Sequence, residues 1–349
     1  MERRSNPLLP LLALVVTAAL VLGIAYGVLR FVGMVGGGAD DYSGDGSGSV
    51  TVVVPSGASG QEIAQILDDA DVVKSAEAFY AESLGDERSA GIQPGAYKLH
   101  RQMSAESALD ALLDGKNRLE ARVVIPEGFR VGQIVDAIVA GSDLTKNDVT
   151  AVLDDPDQLG LPEEADGNPE GYFYPATYVV DPGMSAVELL KQMVQKTLDV
   201  IAELDIAQRA ADVNLDTEQV MTVASILEFE ARREVDYPKV ARVLYNRLNE
   251  DIPLQLDSTV SYVSKRKGDV WTTAEERADP SDYNTYQHIG LPPGPIGSPG
   301  RATIEAALHP ADGDWLYFLA DKKGVTHFSN TYEDHVKKCH AIYGSQTQC

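Results

Sequence analysis

The chain has 349 residues, 44% of them hydrophobic and 23% charged, which is enough for a sizeable core and two or three domains. Its formal net charge of −24 repels phosphate backbones, and no basic stripe with interleaved aromatics offsets it, so nucleic acid is excluded as a partner. The two cysteines, Cys339 and Cys349, stand at the extreme C-terminus without metal-site spacing; outside the cytoplasm they either close a small loop or stay unpaired.

Leu8 to Leu29 carries no charge and is almost wholly apolar. Its length matches the ~20 residues a helix needs to cross the hydrocarbon core. Arg3 and Arg4 precede it, which favours a cytoplasmic N-terminus. A cleaved signal peptide is the alternative, but the run is long for one and no clean A-x-A site follows. The expectation is a retained transmembrane helix over 8–30, with 1–7 in the cytoplasm and the rest outside. Residues 31–49, rich in Gly, Ser and Asp from Val35 onward, read as a flexible tether.

From Val50 the pattern becomes strand, turn, helix. VVVPSGASGQEIAQIL, from Val52, has a second copy in VVIPEGFRVGQIVDAIV, from Val123. Tyr178 to Gly183, with Val187, Leu189 and Leu190 after it, is a looser third. The irregular spacing argues against a solenoid. Such units either cradle an extended polymer or pack as a scaffold, and residues alone favour the scaffold. Ile92–Tyr97 and Pro169–Tyr178 are aromatic turns, fit for stacking on sugar rings or for core corners.

Asp216 caps the next helix, with Gln219 three residues on in a capping-box pattern. Val220, Val223, Ala224, Leu227 and Ala231 form its apolar stripe. Asp236-Tyr237-Pro238 opens another helix, with Val240, Val243, Leu244 and Leu248 inward. Gln255 to Thr259 reads as a polar strand or loop. Tyr283 to Tyr286 and the Gly/Pro-rich run Gly290–Gly300 follow, then a short helix from Thr303 to Leu308. Trp315–Ala320 and Val325–Ser329 form a hairpin across Asp321–Gly324.

Chemistry in this chain falls to carboxylates. H-E-x-x-H, G-x-S-x-G and Walker patterns are missing, and the histidines are scattered without ligand spacing, so no metal and no cofactor is expected. On a helix turning about 100° per residue, Glu228 and Glu230 face about 160° apart and cannot form a close carboxylate pair. Each sits at a margin of the apolar stripe, where desolvation raises a carboxyl's pKa and makes it a general acid. The structural alternative pairs Glu228 with Arg232 and leaves Glu230 solvated; residues alone favour it.

The segment Ala224-Ser-Ile-Leu-Glu-Phe-Glu230 resembles the A-S-I-V-E-K-E segment of the MltG/YceG-like endolytic murein transglycosylases. The resemblance runs on through Ala241–Leu248, Leu254–Tyr262, Tyr283–Tyr286, Gly290–Ile296, Pro299-Gly300, Ala306-Ala307 and Leu316–Ala320, in matching order and spacing. Phe229, where the family has a charge, is a departure. The resemblance implies an α+β protein: an N-terminal transmembrane helix, a LysM-like α+β module over 50–120, and an α+β catalytic domain over 121–349. The latter divides into a strand–helix subdomain, 121–200, and a core, 201–349.

What the resemblance implies for function is non-hydrolytic cleavage between N-acetylmuramic acid and N-acetylglucosamine, leaving 1,6-anhydro ends. Glu228 matches the expected acid. It would protonate the leaving oxygen and then take the proton of the attacking C6 hydroxyl, so the substrate supplies the nucleophile. Gln255, Asp257, Thr259, Asn284 and Tyr286 are candidates to hold sugar hydroxyls and acetamides or to orient Glu228; Glu230 ranks second, as an orienting residue or a solvated charge. The implied partners are peptidoglycan strands, the cell membrane through 8–30, and wall-synthesis machinery. Two rivals stand beside this reading: an anchored wall-binding protein without turnover, and a hydrolytic muramidase using a second carboxylate such as Asp257.

Overall fold

The computed structural model describes residues 40–181, 183–264 and 272–345. The expected membrane helix over 8–30 lies outside them; among the described residues no helix is long and apolar enough to cross a membrane. The chain divides into two units, Met1–Glu120 and Ala121–Cys349.

In the first unit, strand β1 (Ser47–Val54) is followed by helices α1 (Gly60–Asp69) and α2 (Ala76–Gly85). Strand β2 (Gly95–Arg101), helix α3 (Ala105–Leu113) and the short strand β3 (Arg118–Leu119) complete it. The sheet order is β1-β2-β3, antiparallel throughout. Val52 and Val54 alternate inward and meet Leu67, Phe79, Tyr97 and Leu109 in one core. Residues 40–49, expected to be tether, are tied to this unit instead. The Asp41 carboxylate accepts the Ala105 amide at the start of α3, the Ser104 amide donates to Gly44 O, and Ser47 already belongs to β1. Short acidic side chains and glycine carbonyls supply the acceptors that the open end of α3 lacks.

The second unit begins with strand β4 (Ala121–Val124), helix α4 (Val131–Gly141) and helix α5 (Lys146–Leu153). Strand β5 (Thr177–Val180) and the long helix α6 (Ala186–Glu203) follow. The second and third sequence repeats pair with each other: β4 and β5 are antiparallel, Val123 opposite Tyr178. Ile125, Ile134, Phe173, Leu189 and Met193 pack between them. The turn into α6 needs a left-handed residue, supplied by Gly183 at φ 82°.

After the one-turn helix α7 (Ile206–Arg209) comes α8 (Thr217–Glu230), with the Asp216–Gln219 capping box formed in both directions. Every residue of α8 from Val220 to Leu227 is buried, not only the predicted stripe. The reason is that α9 (Tyr237–Asn249), α10 (Asp257–Val263) and α11 (Arg301–Leu308) pack around it. The polar segment from Gln255, expected as strand or loop, turns into α10 at Asp257. Thr259 and Val260 are buried there. The chain ends in the antiparallel pair β6 (Tyr317–Ala320) and β7 (Thr326–Ser329), as the hairpin pattern predicts, and helix α12 (Tyr332–Tyr343). Cys339 on α12 is disulfide-bonded; Cys349 lies outside the described residues.

One turn locks the two halves of the second unit together. Gly171, at φ 86°, lies where an added Cβ would come within 2.5 Å of Pro295 Cβ. Gly171→Ala is therefore expected to destabilise the protein by roughly 1–3 kcal/mol, from left-handed strain and overpacking together. A drop of the urea midpoint without a change in slope is the expected reading; an unchanged midpoint would contradict it.

Candidate active site

Because α8 is encased from Val220 to Leu227, charge at its C-terminal end falls to the last turn. Glu228 is half-buried there. Its Oε1 accepts the Gly300 amide at 2.7 Å and the Thr303 hydroxyl at 2.6 Å. It therefore closes the N-terminal end of α11, where free amides favour an anion. Burial raises its pKa, while Thr303 and Gly300 pull it back. Glu228 is thus a joint between two helices. It does not meet Arg232 in the predicted surface pair, and it is not among the described residues that line the cleft.

That cleft has a volume of about 2150 Å³ and lies wholly within the second unit. Glu230 is on its wall, together with Gln255, Asp257, Ser258 and Tyr286. The residue is half-buried, and loss of water from its carboxyl raises the pKa to about 7. Ser258 opposes the rise; the Asp257 charge adds to it. The Ser258 hydroxyl is buried and closes no full hydrogen bond, so its pull on Glu230 is that of a weak donor. Helix position works in the same direction, since the C-terminal end of a helix disfavours negative charge. Asp257 is fixed by the Thr272 hydroxyl at 2.5 Å, the Tyr286 hydroxyl at 2.9 Å and Arg277 at 3.4 Å. A fixed anion beside a desolvated carboxyl keeps that carboxyl protonated near neutral pH, the state a general acid requires.

Arg130, Glu170, Tyr262 and Tyr283 also line the cleft. Glu170, 5% exposed, accepts the Val131 amide at 3.1 Å. Burial lifts its pKa to about 7; Val131, Arg130 and Tyr262 oppose the rise. The Arg130 guanidinium lies between the Phe229 and Tyr262 rings, 5.2 and 5.3 Å from their centroids, and donates to Ser261 O and Oγ at 3.0 Å. Phe229, the departure from the family's charged residue, thus provides a stacking face for this arginine.

The structure divides the sequence candidates. Glu230, Gln255, Asp257 and Tyr286 share the cleft wall. Gln255 is held at φ 55°, with its amide donating to Thr285 O, a left-handed conformation that a non-glycine residue adopts only under constraint. Thr259 and Asn284 are both fully buried and cannot touch a sugar. The Thr259 hydroxyl donates to Leu256 O, and the Asn284 amide donates to Arg277 O and Asp279 O; both shape the loops behind the wall. Short polar residues in loops read alike whether they face a ligand or tie down backbone, and only burial separates the two. Arg130, Glu170 and Arg247 also line the cleft and carry no signal in the sequence pattern. The first lies in the second repeat and the second in the aromatic turn, but their meeting depends on how the subdomains fold together.

The YceG-like family model matches residues 52–341. The endolytic murein transglycosylase of Bacillus subtilis is 34% identical over 310 residues, 84% of each chain. The enzyme of that name from Streptococcus pneumoniae is 32% identical over 82% of this chain, which spans 57% of its length. A crystal structure of a YceG-like protein from Listeria monocytogenes superposes with a TM-score of 0.57 at 35% identity, over 83% of this chain and 98% of the other.

Proposed function

The chain belongs to the YceG-like family, and from that premise we propose a peptidoglycan lytic transglycosylase that carries its proton on Glu230. The observation that supports this most directly is a desolvated carboxyl, held near pKa 7, on the wall of a long cleft. The relatives named endolytic murein transglycosylase support an enzyme, a lyase acting on peptidoglycan.

Glu230 gives its proton to the oxygen joining N-acetylmuramic acid to N-acetylglucosamine. The bond from C1 to that oxygen breaks, and positive charge develops on the muramyl ring. The carboxylate left behind then accepts the proton of the C6 hydroxyl as O6 bonds to C1. The product is a 1,6-anhydro end, no water is consumed, and one carboxyl serves as acid and then base. Asp257 and Ser258 position Glu230 and set its proton affinity; Gln255 and Tyr286 face the sugar. Glu228 holds Gly300 and Thr303 behind the site. The first unit, with two helices between antiparallel strands β1 and β2, supports the LysM-like reading. Residues 8–30 are the anchor, which holds the enzyme where new strands emerge and where synthesis machinery would meet it.

Product analysis is the test. Purified glycan strands incubated with the protein should gain anhydro-muramic ends. Reducing ends would favour hydrolysis with Asp257 as second carboxylate, and no cleavage would leave a wall-binding protein.

A further inference from the structure

Where β6 and α12 wall the cleft, Arg247 is a buried cation without a counter-ion among the described residues. It is only 8% exposed, yet it lines the cleft. Its Nη1 donates to Leu254 O at 2.6 Å and its Nη2 reaches Gln255 Oε1 at 3.4 Å. Its Nε is buried and has no partner. The groups that act on its charge are the hydroxyls of Tyr317 and Tyr286, not carboxylates, and the guanidinium lies 5.1 Å from the Tyr317 ring centre. Arg130, the comparable cation elsewhere in the cleft, has Glu170 beside it.

His335 on α12 repeats the pattern. Its Nδ1 is buried without a partner, and its ring lies 5.4 Å from Tyr317. Burial and the neighbouring Arg247 charge favour its neutral form. Asp321 also lines the cleft, but its carboxylate is occupied by the Lys323 and Val325 amides and by His327. A buried charge and a buried ring nitrogen left unsatisfied on one wall are costly to the free protein, and an incoming anion with two oxygens relieves both.

We propose that Arg247 and His335 form a subsite for a carboxylate carried by the substrate. Where a stem peptide is attached, the lactyl carboxyl of muramic acid is tied up as an amide, and the sugars of such a strand carry no charge. The carboxylates belong to the stem peptide attached to the lactyl group of each muramic acid, so the subsite reads the peptide and not the sugar. This identification of the ligand rests on the peptidoglycan reading above. It adds that the enzyme holds its strand by the peptide as well as by the sugar.

The test reads binding, so it does not depend on the reaction. The full chain is titrated calorimetrically with a free stem peptide and with the same peptide whose carboxylates are capped as amides. The acid form should bind at least about tenfold more tightly, as expected for a charge-assisted hydrogen bond to a buried guanidinium. The preference should fall towards one in Arg247→Lys and in His335→Ala. Equal affinity for the two peptides, or binding of neither, overturns the subsite; should the variants fail to fold, the wild-type contrast decides alone. Reducing ends or an absence of cleavage in the product analysis would sink the transglycosylase reading separately.

Discussion

Glu230→Gln should lower the release of anhydro-muramic ends by roughly a hundredfold to ten-thousandfold, the range that a positioned general acid and base contributes. The amide keeps the shape of the side chain and cannot pass a proton to the glycosidic oxygen. Folding should be intact, since glutamine keeps the size of the side chain and an oxygen that can still accept from Ser258. Glu228→Gln should behave differently. Its remaining carbonyl oxygen can still accept the Gly300 amide and the Thr303 hydroxyl. Activity should stay within about tenfold of wild type, because the joint between α8 and α11 survives and the proton carrier is untouched. Glu228→Ala leaves both donors unsatisfied and should lose about 1–3 kcal/mol of stability. Initial rates on purified strands, with thermal melts of each variant, separate these outcomes. Near-abolition by Glu228→Gln with a mild Glu230→Gln would return the chemistry to Glu228 and place the cleft wall in a lesser role.

The exchange of roles proposed for the two glutamates marks where sequence stops being informative. Both sit at the margins of an apolar stripe, and periodicity treats them alike. The stripe suggests a helix with one wet face; the structure shows α8 buried all round from Val220 to Leu227. What then separates Glu228 from Glu230 is which neighbour arrives at each side. Gly300 and Thr303 come from 72 and 75 residues away and cover Glu228. Asp257 and Ser258 come from the start of α10 and leave Glu230 open to the cleft. Local rules reach the elements more easily. The capping box at Asp216, the hairpin at Asp321–Gly324 and the paired strand–turn–helix copies all depend on residues close in sequence, and all are present in the fold. The helix beginning at Asp257 is harder, because Gln255 enters it through a left-handed turn held by Thr285. The pairing of Arg130 with Tyr262 spans 132 residues and has no periodic signature.

Glu170 carries the second large effect, on stability as a function of pH. Its carboxyl has an ordinary value of 4.5 and stands at about 7 in the folded protein, chiefly because it is buried. Between those values the folded state retains a proton that the unfolded chain has released. Its contribution is therefore fully present below pH 4.5 and is lost as pH rises through 7. The size of the loss is about 3 kcal/mol, at about 1.36 kcal/mol for each pH unit between 4.5 and about 7. Wild-type stability alone cannot reveal it, since Glu230 shifts the same way and the net charge of −24 also disfavours the folded state at high pH. The difference between wild type and Glu170→Gln can, because the other groups largely cancel. Glutamine still accepts the Val131 amide and gives up the titration. Relative to wild type, the variant should gain about 3 kcal/mol between pH 4.5 and 8, read from urea unfolding at each pH. Parallel stability curves would mean that Glu170 is ionised and fully paired with Arg130 throughout. The same titration bears on the cleft. Above pH 7 the ionised Glu170 and Arg130 form a charge pair beneath Tyr262, while below it the wall presents an acid proton and a lone guanidinium to whatever the cleft holds.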